Sequence, residues 1–95
     1  MSKYALQLYI NGKTPVSTQA VDMLNIICEE KLNGEYYLEI IDIQQYPDRA
    51  EEEGIMAIPT LIRKWPLPVT RLIGALTVRS RVLAGLGLSS LETLA

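Results

Sequence analysis

Histidine is absent from the 95-residue chain, and cysteine occurs once, at position 28. Without histidine there is no commonest general base and no commonest metal ligand, and a single cysteine excludes an internal disulfide. No catalytic residue, metal ligand or cofactor site is expected, which removes many enzyme classes. An excess of one charge is missing too. The 9 basic and 11 acidic side chains leave a formal net charge of -2, which gives no footprint for nucleic acid or an anionic membrane. No apolar run approaches the roughly 20 residues needed to span a bilayer, and no charged leader with an apolar run and a small-residue cleavage site is present. The expected location is cytoplasmic. What the chain has is apolar material, 48% of its residues. That is enough for one core in one domain, residues 1–95, although a domain this short buries a smaller share of its surface than a larger one.

The first 43 residues read as strand, helix, strand. "YALQLYI", residues 4–10, alternates so that Tyr4, Leu6, Leu8 and Ile10 share one face and Ala5, Gln7 and Tyr9 the other. In "NGKTPVS", Asn11 and Gly12 suit a turn, Thr14 suits a helix cap, and Pro15 fits the first helical position, whose amide has no intrahelical partner. Val16, Ala20, Leu24, Ile27, Cys28 and Lys31 follow at steps of three and four, and Asn33 with Gly34 is a left-handed stop. "YYLEIIDI", residues 36–43, is an almost unbroken apolar run, the pattern of a strand covered on both faces. Such a unit favours an α/β layered architecture.

Pro47 opens a short helix, "PDRAEEE", with Asp48 near its start and Gly54 at its end, while the run Glu51 to Glu53 sits at the end less favourable for negative charge. "AIPTLIRKW" and "PVTRLIGAL", separated by "PLP", suit two short antiparallel strands. In the last segment two structures compete. Val78, Val82, Leu83 and Leu86 share a helical face, yet Val82, Ala84, Leu86 and Leu88 also alternate as a strand would, and Gly85 and Gly87 each cost a helix interior about 1 kcal/mol.

The order strand, helix, strand, helix, strand, strand, helix, with a mixed sheet, resembles the thioredoxin fold. "GIMAIPTLI", Gly54 to Ile62, resembles the segment where that fold carries a cis-proline, which makes Ile58–Pro59 the candidate bond. A proline opening a strand removes no ladder hydrogen bond, and X–Pro bonds tolerate cis at about 0.5–1 kcal/mol. Redox-active thioredoxins place a Cys-X-X-Cys pair opposite that proline, where this chain has "NGKTPVS".

Nearly the whole chain resembles the KaiB family of cyanobacterial circadian clock proteins. The likeness is carried by "LYINGKTPVS", "EIIDIQQYPDRAEEEGIMAIPTLIRKWPLPVTRLIGAL" and "RVLAGLGL", several motifs in register. The resemblance implies a non-catalytic protein-binding module that docks in its thioredoxin-like form on the hexameric ATPase KaiC. It also implies sequestration of KaiA and displacement of a clock-output histidine kinase. It further implies a metamorphic chain, monomeric when thioredoxin-like and dimeric or tetrameric when its C-terminal half rearranges. Pro59, Pro66, Pro68, Gly85 and Gly87 are the candidate positions for that change, and isomerisation at the three prolines would make it slow.

Measured against the family, Tyr4 matches the aromatic start of strand one, and Arg63 and Arg71 keep basic character. Basic contact positions are thinned elsewhere: Gly54 and Glu39 stand where lysine is usual and Gln19 where arginine is common. Gly87 replaces a common aspartate, and the chain stops at Ala95 short of the usual acidic tail. Both changes are expected to tilt the chain toward the thioredoxin-like monomer.

Plainer readings stand beside these. Cys28, at a helical core position, reads as a small buried hydrophobe. The run Glu51 to Glu53 lacks the oxygen spacing of a calcium loop and reads as a solvated face. "GKT" at residues 12–14 lacks the first glycine of a phosphate loop and reads as a turn and cap. Trp65 is a candidate anchor for a partner, because tryptophan is enriched at binding hot spots, or else packs over the hairpin. Arg63, Lys64, Arg71, Arg79 and Arg81 form either a patch for an acidic partner or ordinary solubilising charge. The partner-binding candidates are therefore Tyr4, Arg63, Trp65 and Arg71. Two other functions are compatible with the fold: a thioredoxin-like redox or stress protein outside the oscillator, and a sensory or adaptor domain of a two-component kinase.

Overall fold

The computed structural model describes residues 3–12, 14–74 and 76–88. Its elements run β1 (Tyr4–Ile10), α1 (Pro15–Lys31), β2 (Tyr36–Asp42), α2 (Pro47–Glu52), β3 (Thr60–Trp65), β4 (Thr70–Ile73) and α3 (Arg79–Gly85). The four strands form one sheet in the order β2-β1-β3-β4. β1 pairs parallel with β2 from Tyr4↔Tyr36 to Ile10↔Asp42 and antiparallel with β3, with a register shift between Ala5 and Leu6. β3 and β4 close an antiparallel hairpin, Thr60 opposite Ile73.

Local chemistry accounts for the boundaries of α1. The Thr14 side chain accepts a hydrogen bond from the Ser17 amide, Pro15 occupies the first turn, and the helix stops where Asn33 and Gly34 take positive φ, 48° and 80°. Alternation then divides the sheet into two faces. Leu6 and Leu8 of β1 pack with Ala20, Leu24, Ile27 and Cys28 of α1, Leu61 of β3, and Val82, Leu83 and Leu86 of the C-terminal segment. Tyr9, Ile41 and Ile62 form a smaller cluster on the opposite face, joined by Ala50 of α2 and by Ile43, Ile55 and Ile58.

One expectation is corrected. β2 is an edge strand and is not covered on both faces: Tyr37 is 59% and Ile40 41% exposed. The strand buried on both faces is β1, which its clean alternation concealed. Val16 and Val78 are half exposed. β3 and β4 are the expected pair of short antiparallel strands. The Ile58–Pro59 bond is cis, and so are Trp65–Pro66 and Leu67–Pro68. In the contested segment, Arg79–Gly85 is helical; residues 89–91, the rest of that expectation, lie outside the described residues.

Candidate functional site

The four partner-binding candidates do not converge. Tyr4 and Arg63 lie beneath the end of α3. The Tyr4 hydroxyl donates to the Leu86 carbonyl at 3.2 Å. Arg63 faces the same end of the molecule, its guanidinium donating to the Pro68 carbonyl at 3.2 Å and the Thr70 hydroxyl at 3.1 Å. Its Nε is buried and has no hydrogen-bond partner among the described residues. Gly87, at φ +79°, lies over this arginine: a Cβ there would stand 3.5 Å from Arg63 Nη1. Gly85 lies against β4, where a Cβ would come within 3.1 Å of Leu72 Cδ2. One of the four side chains, Tyr4, thus holds the C-terminal turn in place, while Arg63 braces the connection between β3 and β4 beside Gly87.

Arg71 lies on the other face. It donates to the Glu53 backbone carbonyl and stands 3.5 Å from the Glu53 carboxylate, while Lys64 Nζ meets the same carboxylate at 2.6 Å. Two cations therefore share one carboxylate. This corrects the reading of the acidic run: Glu51 and Glu52 are exposed, but Glu53 ties the end of α2 to β3 and β4. At the start of α2, Arg49 makes a bidentate pair with Glu39 of β2, at 2.5 and 3.0 Å. Gln7 donates to Glu39 at 3.4 Å, and the Tyr9 hydroxyl donates to Gln7 at 3.3 Å. The Arg49 guanidinium holds the Glu39 carboxyl below the usual carboxylate range. Burial, reinforced by the charge of Glu53, pushes the Tyr9 phenol up. Glu39 thus anchors α2 to β2. Only the identity of Glu39 marks this network in the sequence; the pairing with Arg49 crosses a turn and has no local signature.

Trp65 is 51% exposed at the end of β3, and Leu67 and Val69 after it are exposed as well. Gln19, also named as a departure, is exposed on α1.

The turn that stands where thioredoxins carry their thiols is built for structure. The Asn11 amide donates to Ser17 Oγ at 3.2 Å, the Ser17 amide to Thr14 Oγ1 at 3.4 Å, and the Gly12 amide to Asp42 Oδ1 at 3.1 Å. Cys28 lies in the core, and burial pushes its thiol up to about 11. Among the described residues no group of three or more Cys, Asp and Glu side chains is arranged to hold a metal ion, and no helix is long and apolar enough to cross a membrane.

Comparison with known proteins fits this architecture. The KaiB domain family model matches residues 7–88. Circadian clock protein KaiB3 of Synechocystis sp. is 45% identical over 86 residues, covering 90% of this chain and 84% of that protein. Circadian clock oscillator protein KaiB of Synechococcus elongatus is 47% identical over 85 residues, covering 90% and 83%. Among solved structures, the N-terminal domain of Synechococcus elongatus SasA superposes with a TM-score of 0.75 at 16% identity, over 97% of this chain and 87% of that one. Mitochondrial thioredoxin 3 from Saccharomyces cerevisiae gives 0.70 at 13%, over 95% and 80%. The two structural likenesses concern the fold, which is thioredoxin-like. The family model and the sequence identities identify the chain itself: it belongs to the KaiB family.

Proposed function

We propose that the chain is a protein-binding module of the KaiB type, without catalytic activity, which docks in its thioredoxin-like form on a KaiC-like ATPase ring and regulates circadian timing. The observation that carries this reading is the 47% identity to a circadian clock oscillator protein across 90% of the chain. Charge geometry supports a docking role for Arg71. With Lys64 it outnumbers the one carboxylate between them, so an acidic side chain of a partner gains a cation already held in place. Trp65 supplies an exposed aromatic of the kind that anchors interfaces. Tyr4 and Arg63 act less directly, Tyr4 by holding the turn after α3 and Arg63 by bracing the connection between β3 and β4. A KaiA-like protein and a competing histidine kinase are the further partners of this reading, and the thioredoxin-like form is monomeric.

The same reading gives Gly85 and Gly87, with Pro59, Pro66 and Pro68, to a rearrangement of the C-terminal half into a dimeric or tetrameric form. Support comes from the glycines: one packs against Leu72, and the other occupies a left-handed conformation. Both are places where a side chain would alter the end of α3.

The test is size-exclusion chromatography of the chain mixed with hexameric KaiC. Co-elution is expected, with Arg71→Glu and Trp65→Ala each weakening it about tenfold, a change of ~1.4 kcal/mol, while circular dichroism stays native. Absence of a complex at tens of micromolar, with the chain folded and the hexamer intact, overturns the proposal.

A further inference from the structure

On the far side of the sheet from Arg71 and Lys64, a groove of about 420 Å³ runs between the outer flank of α1 and the turn before α3, lined by Gln19, Asp22, Met23, Ile26 and Thr77. Two of its lining residues are apolar. Ile26 is 48% exposed, and Met23 beside it is partly buried against the core. Val16, 51% exposed, lies on the same flank of α1 with Gln19 between it and Met23, so this flank spans about 15 Å at 1.5 Å per residue. Scattered surface apolar residues are ordinary, but exposed apolar side chains gathered at a groove mark an interaction surface.

Charge selects the occupant. Across its 17 residues α1 carries three carboxylates, Asp22, Glu29 and Glu30, against one lysine, its last residue Lys31. Asp22 and Glu29, seven residues apart, stand in one exposed row beside Ile26. Glu30, toward the end of the same helix, pairs with Arg79 of α3 at 2.7 Å. The walls are a helix and a turn, with no free strand edge among the lining residues, so a visiting segment is held by side chains and not by main-chain pairing. We propose that this groove is a docking surface for a basic amphipathic helix of a partner protein, its apolar stripe on Met23 and Ile26 and its lysines or arginines along Asp22 and Glu29. The surface is separate from the cationic pair on the opposite face and carries the opposite charge.

Two synthetic 18-residue peptides test this on the ¹⁵N-labelled full chain. Both carry leucines at steps of three and four; one is flanked by lysines and the other by glutamates. The lysine peptide is expected to shift the amides of Gln19, Asp22, Met23, Ile26 and Thr77, and the glutamate peptide to leave them in place. Ile26→Asp, at an exposed helical position, weakens the lysine peptide at least tenfold. The double variant Asp22→Lys with Glu29→Lys transfers the preference to the glutamate peptide. Equal response to the two peptides, shifts centred elsewhere, no shift at millimolar peptide, or unchanged preference in the double variant each overturn the proposal.

Discussion

Gly87 offers the sharpest perturbation, because one substitution there tests backbone and another tests charge. At φ +79° it lies in the left-handed region, where a residue with a Cβ is disfavoured by about 1–2 kcal/mol. Among the described residues the added Cβ meets Arg63 Nη1 alone, at 3.5 Å, an ordinary contact. Gly87→Ala therefore loses stability through the backbone and not through crowding, by about 1–2 kcal/mol. In a domain of this size each 1 kcal/mol lowers Tm by about 4–8 °C. Gly87→Asp adds a carboxylate at the same position. Aspartate tolerates the left-handed conformation better, and its carboxylate comes within reach of the Arg63 guanidinium, a partly exposed pair worth ~0–1 kcal/mol. The expected order of stability is glycine, then aspartate, then alanine, read from thermal unfolding. The interval between aspartate and alanine narrows in 1 M salt, where the Debye length falls to about 3 Å. An alanine variant as stable as the parent refutes the left-handed turn. An aspartate variant below alanine in low salt refutes the placement of Arg63 beneath it.

The remaining predictions concern the core, the α2 anchor and the thiol. Leu83→Ala removes a fully buried side chain of α3 and costs about 2–5 kcal/mol, measured by urea unfolding; a loss below 1 kcal/mol contradicts the packing of α3 on the sheet. Glu39→Gln lowers stability at pH 7, because the pairing with Arg49 depresses the Glu39 pKa in the folded state. That contribution is fully present above the carboxyl's unfolded pKa and disappears as pH falls through its folded value. The Tm difference between parent and variant therefore closes on acidification, and a difference that persists at the lowest pH where both are folded argues against the ion pair. Cys28, its thiol pushed up to about 11 by burial, reacts with a thiol reagent at pH 8 only as fast as the chain opens; labelling at the rate of a free cysteine contradicts its place in the core.

The parts of this fold that could be read from sequence are those fixed by neighbours in the chain. β1 announces itself by alternation, and α1 by Thr14, Pro15 and the Asn33-Gly34 stop, since each signal acts within a few residues. The position of β2 in the sheet could not be read this way. An apolar run says that a strand forms, and leaves open whether it has one neighbour or two. The last segment was undecided for a similar reason, because both periods place Val82 and Leu86 together. Packing decides between them: Leu83 is buried and Ala84 exposed, which fits a helix and breaks strand alternation. At the candidate site, residue identity pointed to Arg71 and Trp65. Their surroundings depend on tertiary pairs, Glu53 with Lys64 and Arg71 and Glu39 with Arg49, that no spacing rule brings together. Tyr4 was legible as a conspicuous residue and not as a support for the turn after α3, because a hydrogen bond spanning 82 positions, from Tyr4 to Leu86, leaves no trace in local pattern.

The central claim is that the thioredoxin-like form is the one that binds. Its most direct test is the set of backbone secondary chemical shifts across Arg79–Gly85, recorded on the labelled chain in the fraction that co-elutes with KaiC. Helical shifts there, from a chain of monomeric mass before mixing, are the predicted result. Extended-strand shifts across the same residues in the bound chain would contradict the account.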